Sequence, residues 1–260
     1  MKNCFAIIGR EMRSYFVSPM GYIVIMFFLG ICGYFNYLYI ARFSQMYAQY
    51  QALSQAYRNP AIMQQLNINQ MIFQPLMGTI NVILIFSIPF ITMWLLAEER
   101  RSGTAELLFT SPLTTTQIVL GKFFSAFLFF LVMIGLTLTY PWILDHYGDP
   151  ERGPFFSGYL GLLLIGGAYI SIGLFISSLF RMPLLAGFVT FVVLLLLWLI
   201  GSLAERLEAY KSIIEYFALA THFEDFPKGL LNATDITYFV SFIFVFLFLT
   251  KLSLDSLRWR

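Results

Sequence analysis

Residues 76–122 read LMGTINVILIFSIPFITMWLLAEERRSGTAELLFTSPLTTTQIVLGK. The first 22 residues, 76–97, are an apolar run long enough to cross a hydrocarbon core, which takes about 20 helical residues. A second apolar run opens at 117. Between them the chain leaves the membrane through a charged exit, Glu98 to Ser102. Gly103 can then N-cap a short helix over Thr104, Ala105, Glu106, Leu107, Leu108 and Phe109, with Glu106 in the first turn, where the helix dipole favours a carboxylate. Ser111-Pro112 stops that helix, because the residue before a proline avoids the helical region. Thr114 and Gln117 then fit a capping box, and Leu113 and Ile118 are spaced as its hydrophobic staple. Two helical turns are marginal alone in water. Leu107, Leu108 and Phe109 therefore rest on the membrane surface or fill a groove on a soluble subunit, with Glu99 and Glu106 meeting basic groups at its rim.

The pattern repeats on both sides of this loop. Six apolar spans lie at about 20–41, 76–97, 117–141, 158–180, 183–203 and 236–254. With 59% hydrophobic and 12% charged residues and a mean hydropathy of +0.76, little is left for a soluble domain. The runs are aliphatic and aromatic rather than alternating, so helices are expected rather than a membrane barrel. The fold class expected is an all-α integral membrane protein, one transmembrane domain over 1–260. With the N-terminus inside, ten Lys and Arg fall on the inner side and six on the outer, while acidic residues divide five to nine. Both termini are thus expected to be cytoplasmic. The first span is too long for a signal-peptide core and no A-x-A site follows it, so it should remain as an anchor. Cys4 and Cys32 make neither a disulfide framework nor a metal site, and a net charge of +2 is no nucleic-acid signal.

Residues 2–18 read as an amphipathic interfacial helix, with Phe5, Ile8, Met12 and Tyr15 at helical spacing and Lys2, Arg10 and Arg13 elsewhere on the wheel. It is either a membrane anchor or a lever that also touches a cytoplasmic partner, working through Arg10, Glu11, Arg13 and Tyr15. Ser18-Pro19 ends it. The outer loop 42–75 holds a helical repeat of Phe43, Met46, Tyr47, Tyr50 and Tyr57, an interfacial helix or a lid, broken at Asn59-Pro60. Pro89 should kink span two. Gly166, Gly173 and Ser177, with Gly161 and Gly167 nearby, mark a packing face of span four, within the protomer or across a dimer. In the last outer segment, Leu203, Leu207, Tyr210, Ile214 and Phe217 keep a helical period, and one or two partly re-entrant or interfacial helices are expected over 204–235. The terminal LRWR is an inner interfacial anchor.

No ionisable residue lies deep in a span; Lys122 and Asp145 sit near ends. Ion-coupled carriers usually carry such charges, so a proton- or sodium-driven carrier is disfavoured. Asn36, Asn81, Thr79, Thr92, Ser171 and Thr190 are the polar residues available, suited to interhelical hydrogen bonds before ligand contacts. Gly121-Lys122 lacks the upstream glycine of a phosphate loop. His146 and His222 are the only histidines, and His222 beside Glu224 and Asp225 is a weak metal signal, better read as structural or solvated. Asn232-Ala233-Thr234 suits capping of the last span better than glycosylation. No paired catalytic groups appear, and an intramembrane enzyme is discouraged.

The stretch AEERRSGTAELLFTSPL followed by TTTQIVLGK resembles the cytoplasmic loop of ABC-2 type transporter permeases. The matching positions are Glu98, Glu99, Gly103, Thr104, Glu106, Leu107, Leu108, Ser111 and Pro112, and Phe109 closes the same helix. SYFVSPMGYI and FEDFPKGLLNATDITYF, with six spans between, extend the likeness over the chain and resemble the gliding-motility-associated branch. The resemblance implies a bacterial inner-membrane exporter subunit that binds no cofactor itself. Its loop would be a coupling helix docked on a separate ATPase carrying ATP and Mg, and a second permease subunit would complete a homo- or heterodimer. Spans one, two and five tend to surround the pathway in such exporters. The outer segments 42–75 and 204–235 leave a second reading, a membrane anchor that turns ATPase motion on an extracytoplasmic partner.

Overall fold

The computed structural model describes residues 2–59, 66–103, 113–148, 150–204 and 218–258. Among these residues every regular element is helical, and six helices are long and apolar enough to cross a membrane. The protein is an all-α integral membrane protein.

The N-terminal helix α1 (Lys2–Val17) turns sharply into α2 (Pro19–Tyr57). Ser18 makes the corner: its hydroxyl accepts the Met20 N–H at 3.2 Å, and Pro19 takes the first helical position, where no amide donor is needed. Gly21 closes the corner, since a Cβ there would lie 2.2 Å from the Tyr15 carbonyl oxygen. α2 is 39 residues long, about 58 Å at 1.5 Å per residue. Span one and the expected outer-loop helix are therefore one unbroken rod, not a span plus a separate interfacial helix. Hydropathy ends the span near 41, but nothing interrupts the backbone ladder until Arg58, left-handed at φ 50°, caps it.

Span two starts earlier than expected, with a π-helical turn at Asn69–Phe73 leading into α3 (Gln74–Thr92). Asn67 prepares it by accepting the Asn69 N–H at 2.8 Å. The kink expected from Pro89 is a full break: α3 stops at Thr92, residues 93–96 form a turn, and α4 (Ala97–Arg101) restarts the helix. Pro89 has no N–H, so the ladder loses a rung one turn before the break.

Span three is α5 (Thr115–Thr137) and α6 (Thr139–Tyr147), separated at Leu138. Both bonds of the expected capping box are present: Gln117 N–H donates to the Thr114 hydroxyl and Thr114 N–H to the Gln117 side chain, each at 3.3 Å. Spans four and five are α7 (Arg152–Leu179) and α8 (Pro183–Ala204). After the short α9 (Leu219–Phe223) and a 3-10 turn (Phe226–Lys228), span six is α10 (Ala233–Arg258). Leu219, Phe223 and Phe226 are buried, so this return segment tucks into the end of the bundle. From residue 205, the helical period expected up to Phe217 lies outside the described residues.

The core runs along α3 and α7. The small residues of α7 meet neighbours inside the same chain: a Cβ at Gly166 would sit 2.2 Å from the Phe130 ring, and one at Gly173 2.3 Å from the Thr92 hydroxyl. Gly161 lies under Phe226. These positions are packing sites of the protomer.

Candidate functional site: a charged joint in span two

The break at 93–96 leaves backbone groups without helical partners inside the bundle, where each must be satisfied. Three elements supply side chains. The Ser177 hydroxyl of α7 accepts the N–H groups of Leu96 and Ala97, both at 3.1 Å, and donates to the Met93 carbonyl at 3.3 Å. Tyr15 of α1 donates to the Ile91 carbonyl at 2.9 Å. Lys122 of α5 donates to the Leu95 carbonyl. Arg100 of α4 is tied to α7 by a hydrogen bond to the Ser178 carbonyl.

Lys122 is only 1% exposed and also belongs to an ionic ring. Its ammonium lies 2.9 Å from Glu99 and 3.3 Å from Glu11, and Arg10 bridges the same two carboxylates at 3.0 and 2.6 Å. Two cations and two anions thus alternate, with the charges balanced. Burial alone would raise the Glu11 carboxyl, but Lys122 and Arg10 more than offset it and hold it below its usual value. Burial, with the Glu11 charge beside it, pushes the Tyr15 phenol up, so it stays a neutral donor to Ile91. Removing one partner from a buried pair leaves an uncompensated charge and costs about 3–5 kcal/mol.

The helices supporting this ring are fixed by shape. Ile7 of α1 packs over Gly121, where a Cβ would approach to 2.9 Å. Tyr15 stacks on Phe129 of α5 with ring centroids 4.7 Å apart, and Phe16 flanks the same ring at 5.8 Å. A cleft of about 720 Å³ lies along the ring, bounded by α1, the start of α2, the end of span two and α5. Among the described residues the arrangement pairs no nucleophile with a base. Its chemistry is mechanical, an ionic and hydrogen-bonded coupling of α1, α4 and α5 across a helix break.

The structure brings Arg10, Glu11, Tyr15 and Glu99 together, and sets Glu98 beside them in the cleft wall, paired with Arg101 at 3.5 Å. Arg13 is exposed and takes no part in the ring. Gly103, expected as an N-cap, instead has φ 72°, the left-handed conformation of a helix stop just past α4. An N-cap would be extended. Thr104, Glu106, Leu107, Leu108, Phe109, Ser111 and Pro112 lie outside the described residues. His222 pairs with Asp235 at 2.6 Å and stacks on Tyr238, not with the adjacent Glu224 and Asp225. Asn232 stands before α10, and its amide donates back to Asp225 at 3.3 Å.

Lys122 and Ser177 are the residues that sequence reasoning missed in this role. One signal pointed to Lys122: Glu11 sits one turn from Ile7 and from Tyr15, on the buried stripe of α1, and a carboxylate there requires a cation.

A family model described as ABC-2 family transporter protein matches residues 5–254. Among curated proteins, the inner membrane transport permeases YhhJ of Escherichia coli (strain K12) and of Shigella flexneri are each 32% identical over 169 residues. That is 64% of this chain and 44% of each relative, so the match spans less than half of their length. With the family model covering nearly the whole chain, the protein belongs to the ABC-2 family of transporter proteins.

Proposed function

We propose that this chain is the membrane-spanning subunit of an ATP-driven exporter in the bacterial inner membrane, with α1, α4 and the 98–116 loop on the cytoplasmic side. A separate ATPase subunit, carrying ATP and Mg, docks on the loop through Leu107, Leu108 and Phe109, and a second permease subunit completes the pathway. The observation that carries this reading is Lys122, which lies just after the loop and binds Glu11 of α1 and Glu99 of α4 at once. A force applied to the loop or to α1 therefore reaches both helices together. The four-residue break at 93–96 is where span two bends, and Ser177 holds its free amides in the resting state. Short rigid helices around a joint transmit a domain closure that a flexible loop would absorb. The narrower placement in the gliding-motility-associated branch rests on SYFVSPMGYI and FEDFPKGLLNATDITYF and names no cargo.

The test is a Leu107→Asp, Leu108→Asp double variant in the native complex. The expected result is loss of the co-purifying ATPase while helical content and thermal stability stay at the parent level. Full ATPase association and full transport by that variant would remove the docking assignment.

The length of α2 favours keeping a second reading, in which the chain transmits ATPase motion to an extracytoplasmic partner. Residues 42–57 carry the rod about 24 Å past the apolar span. Crosslinks from these residues to another envelope protein, with no substrate crossing the bilayer, would select this reading over export.

A further inference from the structure

At the end of the bundle opposite α1, a groove of about 700 Å³ lies between α2, α3, α8 and α9. That volume is in the range of small-molecule sites. Its walls are aromatic and aliphatic, with Phe27, Phe35 and Trp198 presenting from two different spans. Phe27 is 53% exposed, so the groove opens on the flank of the bundle. Among the described residues no Lys or Arg lines it, and the one ionised side chain in its wall is Glu224, which has no ion-pair partner there. Asn81 also lines it and is 97% buried. The Asn81 carbonyl oxygen accepts the Tyr169 hydroxyl at 3.1 Å, which turns the amide nitrogen to the other side with no protein partner among the described residues. That nitrogen borders the groove and is not sealed in the core, so it is open to an acceptor brought by a ligand.

Resting on the export reading above, we infer that this groove binds a lipophilic organic cation bearing a carbonyl or ether oxygen. The aromatic walls take its apolar body and favour its positive charge through their ring faces. Glu224 supplies the fixed countercharge among the described residues, and Asn81 donates to the oxygen. Among the described lining residues an anionic cargo would meet a carboxylate and no cation. A sugar would find too few polar groups to replace its hydration.

Three probes separate these contributions on the purified chain in neutral-lipid nanodiscs, without the ATPase. Tetraphenylphosphonium and tetraphenylborate share a shape and differ in charge sign; rhodamine 6G is a cation with an ester carbonyl. Saturable binding is expected for both cations and not for the borate. Glu224→Gln, an exposed change safe for folding, should weaken both cations about fivefold, the size of an exposed charge pair. Asn81→Leu should weaken rhodamine 6G about five- to tenfold and leave tetraphenylphosphonium unchanged, which also reports that the variant is folded. Phe27→Ala should weaken both cations. Equal binding of borate and phosphonium, or cation binding indifferent to Glu224→Gln, would overturn the proposal. So would absence of saturable binding by any probe, the result expected if a second copy of the chain fills the groove. Because no ATPase is present, such a failure leaves the loop-docking reading standing, and loss of docking in the Leu107, Leu108 variant leaves probe binding intact.

Discussion

Spans two and four differ from spans one, five and six in what they hide. In their most apolar 18-residue windows, 78% of the residues of spans two and four are buried within the chain, against 22% for spans one and five and 11% for span six. The first pair is the protomer's own core. Yet that core contains the break in span two, with its backbone groups held by Ser177, Tyr15 and Lys122. Spans one, five and six are unbroken helices whose side chains face outward, such as Leu184 at 78% exposure and Phe244 at 70%. The irregular backbone thus sits where protein can satisfy it, and the regular helices face the surroundings. Sensitivity to substitution should follow the same division.

The largest effect is expected at Lys122. Lys122→Met removes the buried cation shared by Glu11 and Glu99 and should cost about 3–5 kcal/mol. Leu184→Ala on the outer face of span five should leave thermal unfolding in detergent unchanged. A Leu184 variant as damaging as the Lys122 variant would break the comparison.

Ser177→Ala should cost about 1–3 kcal/mol, since it leaves the amides of Leu96 and Ala97 buried without an acceptor. Hydrogen exchange should accelerate at those two amides and remain slow in the middle of span four. Slow exchange at both amides in the variant would mean that something other than Ser177 holds the joint.

Glu11 gives a pH-dependent test with a definite sign. Its carboxyl is held below the usual value of 4.5, so its stabilisation is complete above that value and fades as pH falls through the depressed one. Acid unfolding curves of the parent should therefore steepen below about pH 4.5, and Glu11→Gln should flatten that part of the curve at the expense of stability near neutrality. Identical acid limbs in the two proteins would contradict the ring. The smallest effect belongs to Arg10, whose side chain is 57% exposed. Arg10→Ala should cost about 0.2–1 kcal/mol and lose its effect in high salt.

Features governed by local chemistry were readable from the residues. The N-terminal helix ends within a residue of the expected position, span five matches Pro183–Ala204, and the Thr114–Gln117 box forms as its spacing implies. Each depends on contacts within a few residues. α2 was misdivided because hydropathy reports where the membrane stops, while the helix continues through polar residues with no stop signal before Asn59-Pro60. Gly103 could serve at either end of a helix by type, and only its positive φ reveals the stop. The joint was hidden for another reason. Ser177 looked like a small packing residue and Lys122 like a membrane-edge cation, and their roles come from partners about 80 and 111 positions away.

The central claim is that α1 and α4 move as one body about the break in span two. Spin labels at Arg13 and Ser102, both exposed, report the α1–α4 separation in a cysteine-free background; a second pair, Ser102 and Phe156, spans the break to the far end of α7. Distances would be measured on the complete transporter in lipid, with and without ATP. The account predicts an unchanged Arg13–Ser102 distance and a shifted Ser102–Phe156 distance. A change between Arg13 and Ser102 with Ser102–Phe156 fixed would contradict it.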